Sequence, residues 1–456
     1  MEKLKFSEVV EAVHGSVNGT SQYDRYIDSV VTDSRKCREG SLFVAIKGEN
    51  VDGNDFVDKA FSGGACAALT TRKTDDEREI RVEDSVLALG NLGRYYFKKL
   101  SLPLVAVTGS SGKTTTKDMM YYALSSQVKV HRTQGNYNNE IGLPLTVLEA
   151  DGTAEYMVLE MGMSQEGEID YLCGIAKPDV AIITNIGTAH MEQLGSREAI
   201  FRAKMEIAHR MDEKGLLLLN ADDDFLSNAD RNTLSCTVKT FGFSENADYR
   251  CLSYEQEVLS MKVRALIGEK NVEYRVPLGL HNISNSLAVL GAIEGMGLDL
   301  KKAVEGLEAF RPSDLRMDVR EYGKITVIND SYNANPDSMK SVLSIFKTDP
   351  SSRRKIAVLG DMLELGENSR LYHEEVGRYA FECCDSLLCF GEYASFMAEA
   401  AVLAGMKREA VFFSNDKQEV AKNLKELLEE GDLVLIKGSR GMKMEELLSV
   451  FGGEER

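Results

Sequence analysis

Between Val105 and Thr116 the chain reads V-A-V-T-G-S-S-G-K-T-T-T. A lysine between a glycine and a run of hydroxyl residues suits a polyphosphate. Gly109 and Gly112 let backbone N–H groups turn toward phosphate oxygens. The helix expected to open behind them adds the positive end of its dipole. Lys113 can reach the terminal phosphates, and the Thr114 hydroxyl is a ligand for Mg²⁺. With Ser110, Ser111 and Thr115 between and behind them, Gly109–Thr115 is expected to hold a nucleoside triphosphate, ATP by preference. The spacing departs from the common form of this loop, which has glycine five positions before Gly112; here that position is Val107.

Other residues can extend this chemistry. Glu160 ends the apolar run Tyr156–Glu160, where it is either a ligand for a hard cation or a solvated carboxylate. His190, in N-I-G-T-A-H-M-E-Q-L-G, is either a metal or phosphate contact or an ordinary loop histidine. Ser196 reads as a helix N-cap, and Ile200, Ala203, Ile207, Ala208 and Met211 form one apolar stripe behind it. Lys204 falls inside that stripe. It either snorkels out or faces inward, and an inward lysine must be paired, neutral or modified. A neutral amine can take up CO₂ to become a carbamate, which adds a carboxylate. His281-Asn282 is expected just before a helix over Asn285–Ile293, where Asn282 can read an adenine edge or merely cap. Arg316 follows the seam at Pro312 and can reach phosphates from the next segment, or remain a surface charge.

The elements that position these groups alternate. Leu104–Val107, Tyr156–Glu160, Val180–Thr184 and Leu216–Leu219 are short and apolar throughout, as buried parallel strands are. Arg250–Val276 alternates and suggests an antiparallel addition. Ile325–Ile328, Lys355–Leu359, Ser386–Phe390, Val411–Phe413 and Leu433–Ile436 repeat the rhythm, and Ser41–Ile46 reads as a buried strand nearer the start. Glu160, Asp330, Asp361 and Lys437 stand at strand ends, the side where open α/β sheets bind ligands. Helical patterns before Pro103 (Val86–Leu100) and before Pro312 (Leu300–Phe310) mark two seams. The expected fold is therefore α/β in three domains. Residues 1–101 form a mixed α/β domain, 102–312 a central P-loop ATPase-like parallel-sheet domain, and 313–456 a Rossmann-like domain. The length of 456 residues agrees, at roughly 150 residues per domain.

The net charge is −18, from 54 basic and 72 acidic residues, which argues against a nucleic-acid partner. A phosphorylated ligand must be held by local groups, because the overall field repels it. No apolar run approaches the roughly 20 residues of a membrane span, and no export segment is apparent. Eight scattered cysteines without a C-x-x-C pair suggest neither zinc nor a disulfide framework, so a reduced cytoplasm is expected.

Taken together the motifs resemble the Mur ligases of peptidoglycan synthesis, across all three segments. Asp33-Ser34-Arg35 and Leu42–Phe56 (L-F-V-A-I-K-G-E-N-V-D-G-N-D-F) are similar to the uridine-nucleotide portion of such enzymes. The phosphate loop, Gly135–Pro144 (G-N-Y-N-N-E-I-G-L-P), Glu160, His190, Ala203–Glu206 (A-K-M-E) and His281-Asn282 resemble the central portion. Arg316, Asn329–Met339 (N-D-S-Y-N-A-N-P-D-S-M) and Val358–Gly366 (V-L-G-D-M-L-E-L-G) resemble the last, in its D-alanyl-D-alanine-adding form. The last two stretches separate the chain from folylpolyglutamate synthetases, which share the plan.

The resemblance implies an ATP-dependent amide ligase acting through an acyl phosphate. It would join D-Ala-D-Ala to UDP-N-acetylmuramoyl-tripeptide (UDP-MurNAc-tripeptide) in the cytoplasm, as a monomer. It implies Mg²⁺ at Thr114, Glu160 and His190 with a carbamylated Lys204. Asn282 would contact adenine, Asp330 the ribose, and Arg316 the phosphates alongside Lys113. Ser34, Arg35, Lys47, Gly48, Asn50, Asn136, Asn138, Asn139, Tyr332, Asn333, Asn335 and Asp361 would hold the substrates. Two readings of another kind remain open: a nucleotide-switch GTPase, whose N-K-x-D motif Thr184-Asn185-Ile186-Gly187 does not supply, and a non-catalytic scaffold.

Overall fold

The computed structural model describes residues 1–312, 315–351 and 353–452. The expected limits of the third segment, 313 and 456, lie outside the described residues.

Three main sheets account for the chain. The first is four-stranded and parallel, in the order Ser29–Val31, Ser41–Val44, Ala67–Thr70, Glu79–Arg81. Its second strand stops at Val44, short of the expected Ile46, because the chain bends there to pair Lys47 with Asp52. The helix Ser85–Leu100 follows, capped by Asp84, and buries Ala88, Leu89, Leu92 and Tyr96 along one face. Tyr96 Oη donates to the Ala150 carbonyl at 2.7 Å, which ties this helix to the central domain. It ends at Ser101 in a left-handed conformation, just before Pro103.

The central sheet has nine strands. Seven run parallel, in the order Val130–Arg132, Tyr156–Glu160, Leu104–Thr108, Val180–Ile183, Leu216–Asn220, Thr237–Gly242, Tyr249–Gln256. Ser260–Ile267 and Lys270–Pro277 extend it antiparallel. Leu104–Thr108 is buried on both faces and lies between strands reached by crossovers in opposite directions. The crevice at such a reversal is where open α/β sheets take ligands. Val107 pairs with Glu160 and Thr108 with Ile183, so the strand ends are level around that crevice.

The third sheet has the order Asp318–Tyr322, Ile325–Asp330, Leu433–Lys437, Lys355–Gly360, Ser386–Phe390, Val411–Ser414, with the first pair antiparallel and the rest parallel. Its helix Pro336–Thr348 faces the central domain. Asp337 contacts Thr188, Ser341 contacts His281, and Ile345 and Thr348 contact Gln256. Positions 337, 341, 345 and 348 share one helical face, so one stripe docks the two domains. Met339, Val342 and Phe346 continue the apolar cluster of Ile283 and Leu287 behind it. No helix among the described residues is long and apolar enough to cross a membrane.

Candidate active site

Val107 sits inside a fully buried strand, so the place where the common loop form has glycine is here still sheet. The turn begins at Gly109, at φ 148°, where an added Cβ would stand 1.8 Å from Thr184 Oγ1. Glycine is therefore required by conformation and by space. Gly109→Ala is expected to remove nucleotide binding and lower stability by about 1–3 kcal/mol, the range for a forced backbone. Calorimetry with ATP and a thermal melt check it, and a variant that binds ATP normally contradicts it.

Gly112 precedes the helix Lys113–Ser125. The Lys113 amine folds back on the loop and donates to the Gly109 carbonyl at 2.7 Å. Burial pushes its pKa down, with Glu160 opposing and Arg316 adding to the fall. Asn185 braces the loop from the next strand: its Oδ1 accepts from Ser111 N at 3.0 Å and its carbonyl from Ser110 N at 3.1 Å.

Glu160 is 3% exposed, so it is not a solvated strand-end carboxylate. Its Oε2 accepts from Thr114 Oγ1 at 2.8 Å and its Oε1 from Asn138 Nδ2 at 2.7 Å. Its backbone N–H donates to Thr133 Oγ1 at 3.0 Å. A hydroxyl and a carboxylate already converge, which is the hard-oxygen chemistry Mg²⁺ selects.

Lys204 lies on the helix Arg197–His209, capped by Ser196 as expected. It is 1% exposed and makes no hydrogen bond or ion pair among the described residues, so it does not snorkel. Burial, with Lys113 adding, holds its amine well below the ordinary lysine range. His190 stands nearby at φ 66°, uncommon for a residue with a side chain. Burial first, then Lys113 and Lys204, brings its pKa to about 4. His281 is also brought to about 4 by burial.

Both histidines therefore fold neutral. Their contribution to stability is complete above pH 6.5, the unfolded value, and is lost as pH falls from 6.5 to about 4. The melting temperature is expected to drop across that window, before the carboxylates titrate. A flat profile there contradicts it.

The third domain supplies the opposite wall. Arg316 stacks its guanidinium on the Tyr332 ring at 3.7 Å. Asp330 accepts from Lys437 Nζ at 2.5 Å and from Met317 N at 3.1 Å. The cavity between the walls, about 530 Å³, is lined by Ser110–Thr115, Asn136, Asn138, Asn139, Glu160, Asn185, His190, His281 and Asn285 from one side. Arg316, Asp330, Tyr332, Asn333, Asn335 and Lys437 line the other.

Residues 26–132, 107–293 and 315–440 match, in turn, the catalytic domain, the middle domain and the glutamate ligase domain of Mur ligases. A Bacillus subtilis protein named UDP-N-acetylmuramoyl-tripeptide--D-alanyl-D-alanine ligase is 38% identical over 98% of this chain and 98% of its own. The chain belongs to the Mur ligase family. A crystal structure of MurF from Acinetobacter baumannii matches this Mur ligase with a TM-score of 0.92 and 31% identity, over 99% of each chain. MurF from Thermotoga maritima in complex with ADP matches at TM-score 0.84 and 33% identity, over 93% of this chain and 96% of that one. A folylpolyglutamate synthase from Mycobacterium tuberculosis shares the fold alone, at TM-score 0.65 and 15% identity over 81% of this chain and 95% of its own.

Several expected site residues of this Mur ligase lie away from the cavity. The helix expected at Asn285 starts at Leu280, so His281 and Asn282 are in its first turn. That rotates Asn282 inward: it is 1% exposed, and its amide donates to the Leu278 carbonyl at 2.7 Å. His281 and Asn285 face the cavity instead. Asp361 is 4% exposed and accepts from Ala394 N at 2.7 Å and Tyr393 N at 3.2 Å, fixing the start of the helix Ala394–Ala404. Its carboxylate is occupied within its own domain and is not a substrate contact in this arrangement. Ser34, Arg35, Lys47, Gly48 and Asn50 sit on the first domain, off the cavity; Arg35 pairs with Asp33 at 2.8 Å, and Ser34 is buried. The sequence placed Lys437 at a ligand-side strand end without assigning it a contact, and left Asn185 and Asn285 without a role. Their only signal was polarity at strand or helix ends beside the loop.

Proposed function

We propose that this Mur ligase joins D-alanyl-D-alanine to UDP-N-acetylmuramoyl-tripeptide, with ATP converted to ADP and phosphate. The observation that carries the reading is the meeting of Lys113, Glu160 and Arg316 on one cavity between the central and third domains. The names of the relatives supply the substrates.

The tripeptide carboxylate is a poor electrophile. Its oxygen attacks the γ-phosphorus of ATP, the bond to ADP breaks, and an acyl phosphate results. The dipeptide amine then attacks the acyl carbon, loses a proton, and phosphate leaves. Positioning and charge neutralisation carry both steps. Lys113 and Arg316 offset the charge of two anions brought together, and Asn138 orients Glu160. Thr114, Glu160, His190 and a carbamylated Lys204 would hold Mg²⁺, which supplies further neutralisation when bound. Lys204 suits carbamylation: it is enclosed, burial holds its amine well below the ordinary lysine range, no carboxylate among the described residues pairs with it, and Lys113 stands near enough to pair with a carbamate. Enclosure between two domains keeps water from the acyl phosphate.

In this reading residues 1–101 hold the uridine nucleotide, 102–312 hold ATP, and 313–456 close on it and hold the dipeptide. We take the enzyme to act as a monomer in the cytoplasm. Mass spectrometry of a mixture of UDP-MurNAc-tripeptide, ATP and D-Ala-D-Ala should reveal the pentapeptide product. ATP turnover indifferent to D-Ala-D-Ala would sink the reading.

A further inference from the structure

The loop Asn185–His190 is fastened at two points. Gly187 N donates to Ser110 Oγ at 2.9 Å, which ties it to the phosphate loop. One residue on, Thr188 N and Thr188 Oγ1 both donate to Asp337 Oδ2, at 2.9 and 3.1 Å. Asp337 belongs to the third domain, in the first turn of the helix Pro336–Thr348. The positive end of the helix dipole favours a carboxylate there. Asp337 does not cap that helix; Asn335 does, with its Oδ1 accepting from Ser338 N at 2.8 Å. The Asp337 carboxylate is thus free to serve the other domain. The approach is close, since a Cβ on Gly187 would stand 2.4 Å from Asp337 Oδ2. Two residues beyond Thr188 the backbone takes the left-handed turn that sets His190. The other described side-chain hydrogen bonds between these domains, at His281 and Gln256, do not touch this loop, and beyond His190 the Glu192 side chain packs near Gly366 of the third domain.

We propose that Asp337 is a positioning residue. By clasping Thr188 when the third domain docks, it couples domain closure to the geometry of the loop that carries His190 and braces Ser110. This rests on the ligase reading for its reaction, but the clasp itself is a property of the two domains.

The test compares the full chain with Asp337→Ala and Asp337→Asn, whose amide oxygen still accepts the Thr188 hydrogen bonds. For Asp337→Ala the expected result is a kcat about 10- to 100-fold lower, as for small misplacements of reacting groups. The melting temperature and the affinity for the non-hydrolysable analogue AMP-PNP should stay at wild-type values, because the phosphate loop is intact. Asp337→Asn should regain most of kcat. Small-angle scattering with AMP-PNP should show Asp337→Ala more extended than wild type. Wild-type kcat in Asp337→Ala, a loss that Asp337→Asn does not recover, or a matching fall in melting temperature overturns the proposal. If the wild type makes no ligation product, the ligase reading fails. Scattering then decides the clasp alone: equal dimensions overturn it and an extended variant supports it.

Discussion

Lys113→Met is expected to lower the rate of ligation on the order of 10³-fold, the loss seen when a preorganised charge-stabilising donor is removed. The amine is the cation nearest the loop's own carbonyls, and it borders Glu160 and Arg316 across the cavity. Methionine fills similar volume without an ammonium to desolvate, so the melting temperature should hold or rise. The pair of readouts separates chemistry from folding. Product formation at saturating substrates measures the first, and a thermal melt the second. A rate within tenfold of wild type defeats the assignment. Arginine is not a conservative replacement here, because its planar fork cannot fold back onto the Gly109 carbonyl as a compact ammonium does.

Lys204→Ala should also be nearly inactive, but for a different reason. A carbamate would add a negative group beside Lys113 and His190 in a place with no carboxylate of its own. The loss is expected at about 10²–10³-fold, like that of other removed charge stabilisers, with partial recovery in added formate or acetate. Lys204→Met keeps the volume but excludes the carboxylic acid, and should not recover. In wild type, ¹³C-bicarbonate should yield a carbamate signal that Lys204→Met lacks. Activity that short carboxylic acids fail to restore, together with no such signal, rules the carbamate out.

Much of this site was legible because its parts are local. A strand, a glycine turn and a helix lie in sequence order from Leu104 to Ser125, while the apolar stripe around Lys204 left it open between facing inward and snorkelling out, which its burial decides. Strand ends named Glu160, Asp330 and Lys437 for the same reason. What escaped depends on contacts between distant segments. That Lys437 grips Asp330 follows from their pairing in adjacent strands of the third sheet, which no spacing in the sequence encodes. Asn282 turned inward because the helix began five residues early; glycine at position 279 hides that start from a cap-based reading. Asp361 stands at a strand end as a ligand contact does, but the start of the helix Ala394–Ala404 claims its oxygens.

The order of strands in the central sheet bears on how the chain is made. Leu104–Thr108 is apolar, lies at the middle of the parallel run, and pairs with Tyr156–Glu160 and Val180–Ile183. Its second partner is synthesised about 75 residues later, which at typical ribosome speeds is roughly 4 to 15 s. The first sheet, closed by Arg81, can form well before that. Until Glu160 emerges this apolar strand has no partner on either edge, and until Ile183 emerges one edge stays open next to the future nucleotide loop. Slow codons or a delayed chaperone between residues 108 and 183 would therefore be felt as lost yield of active enzyme.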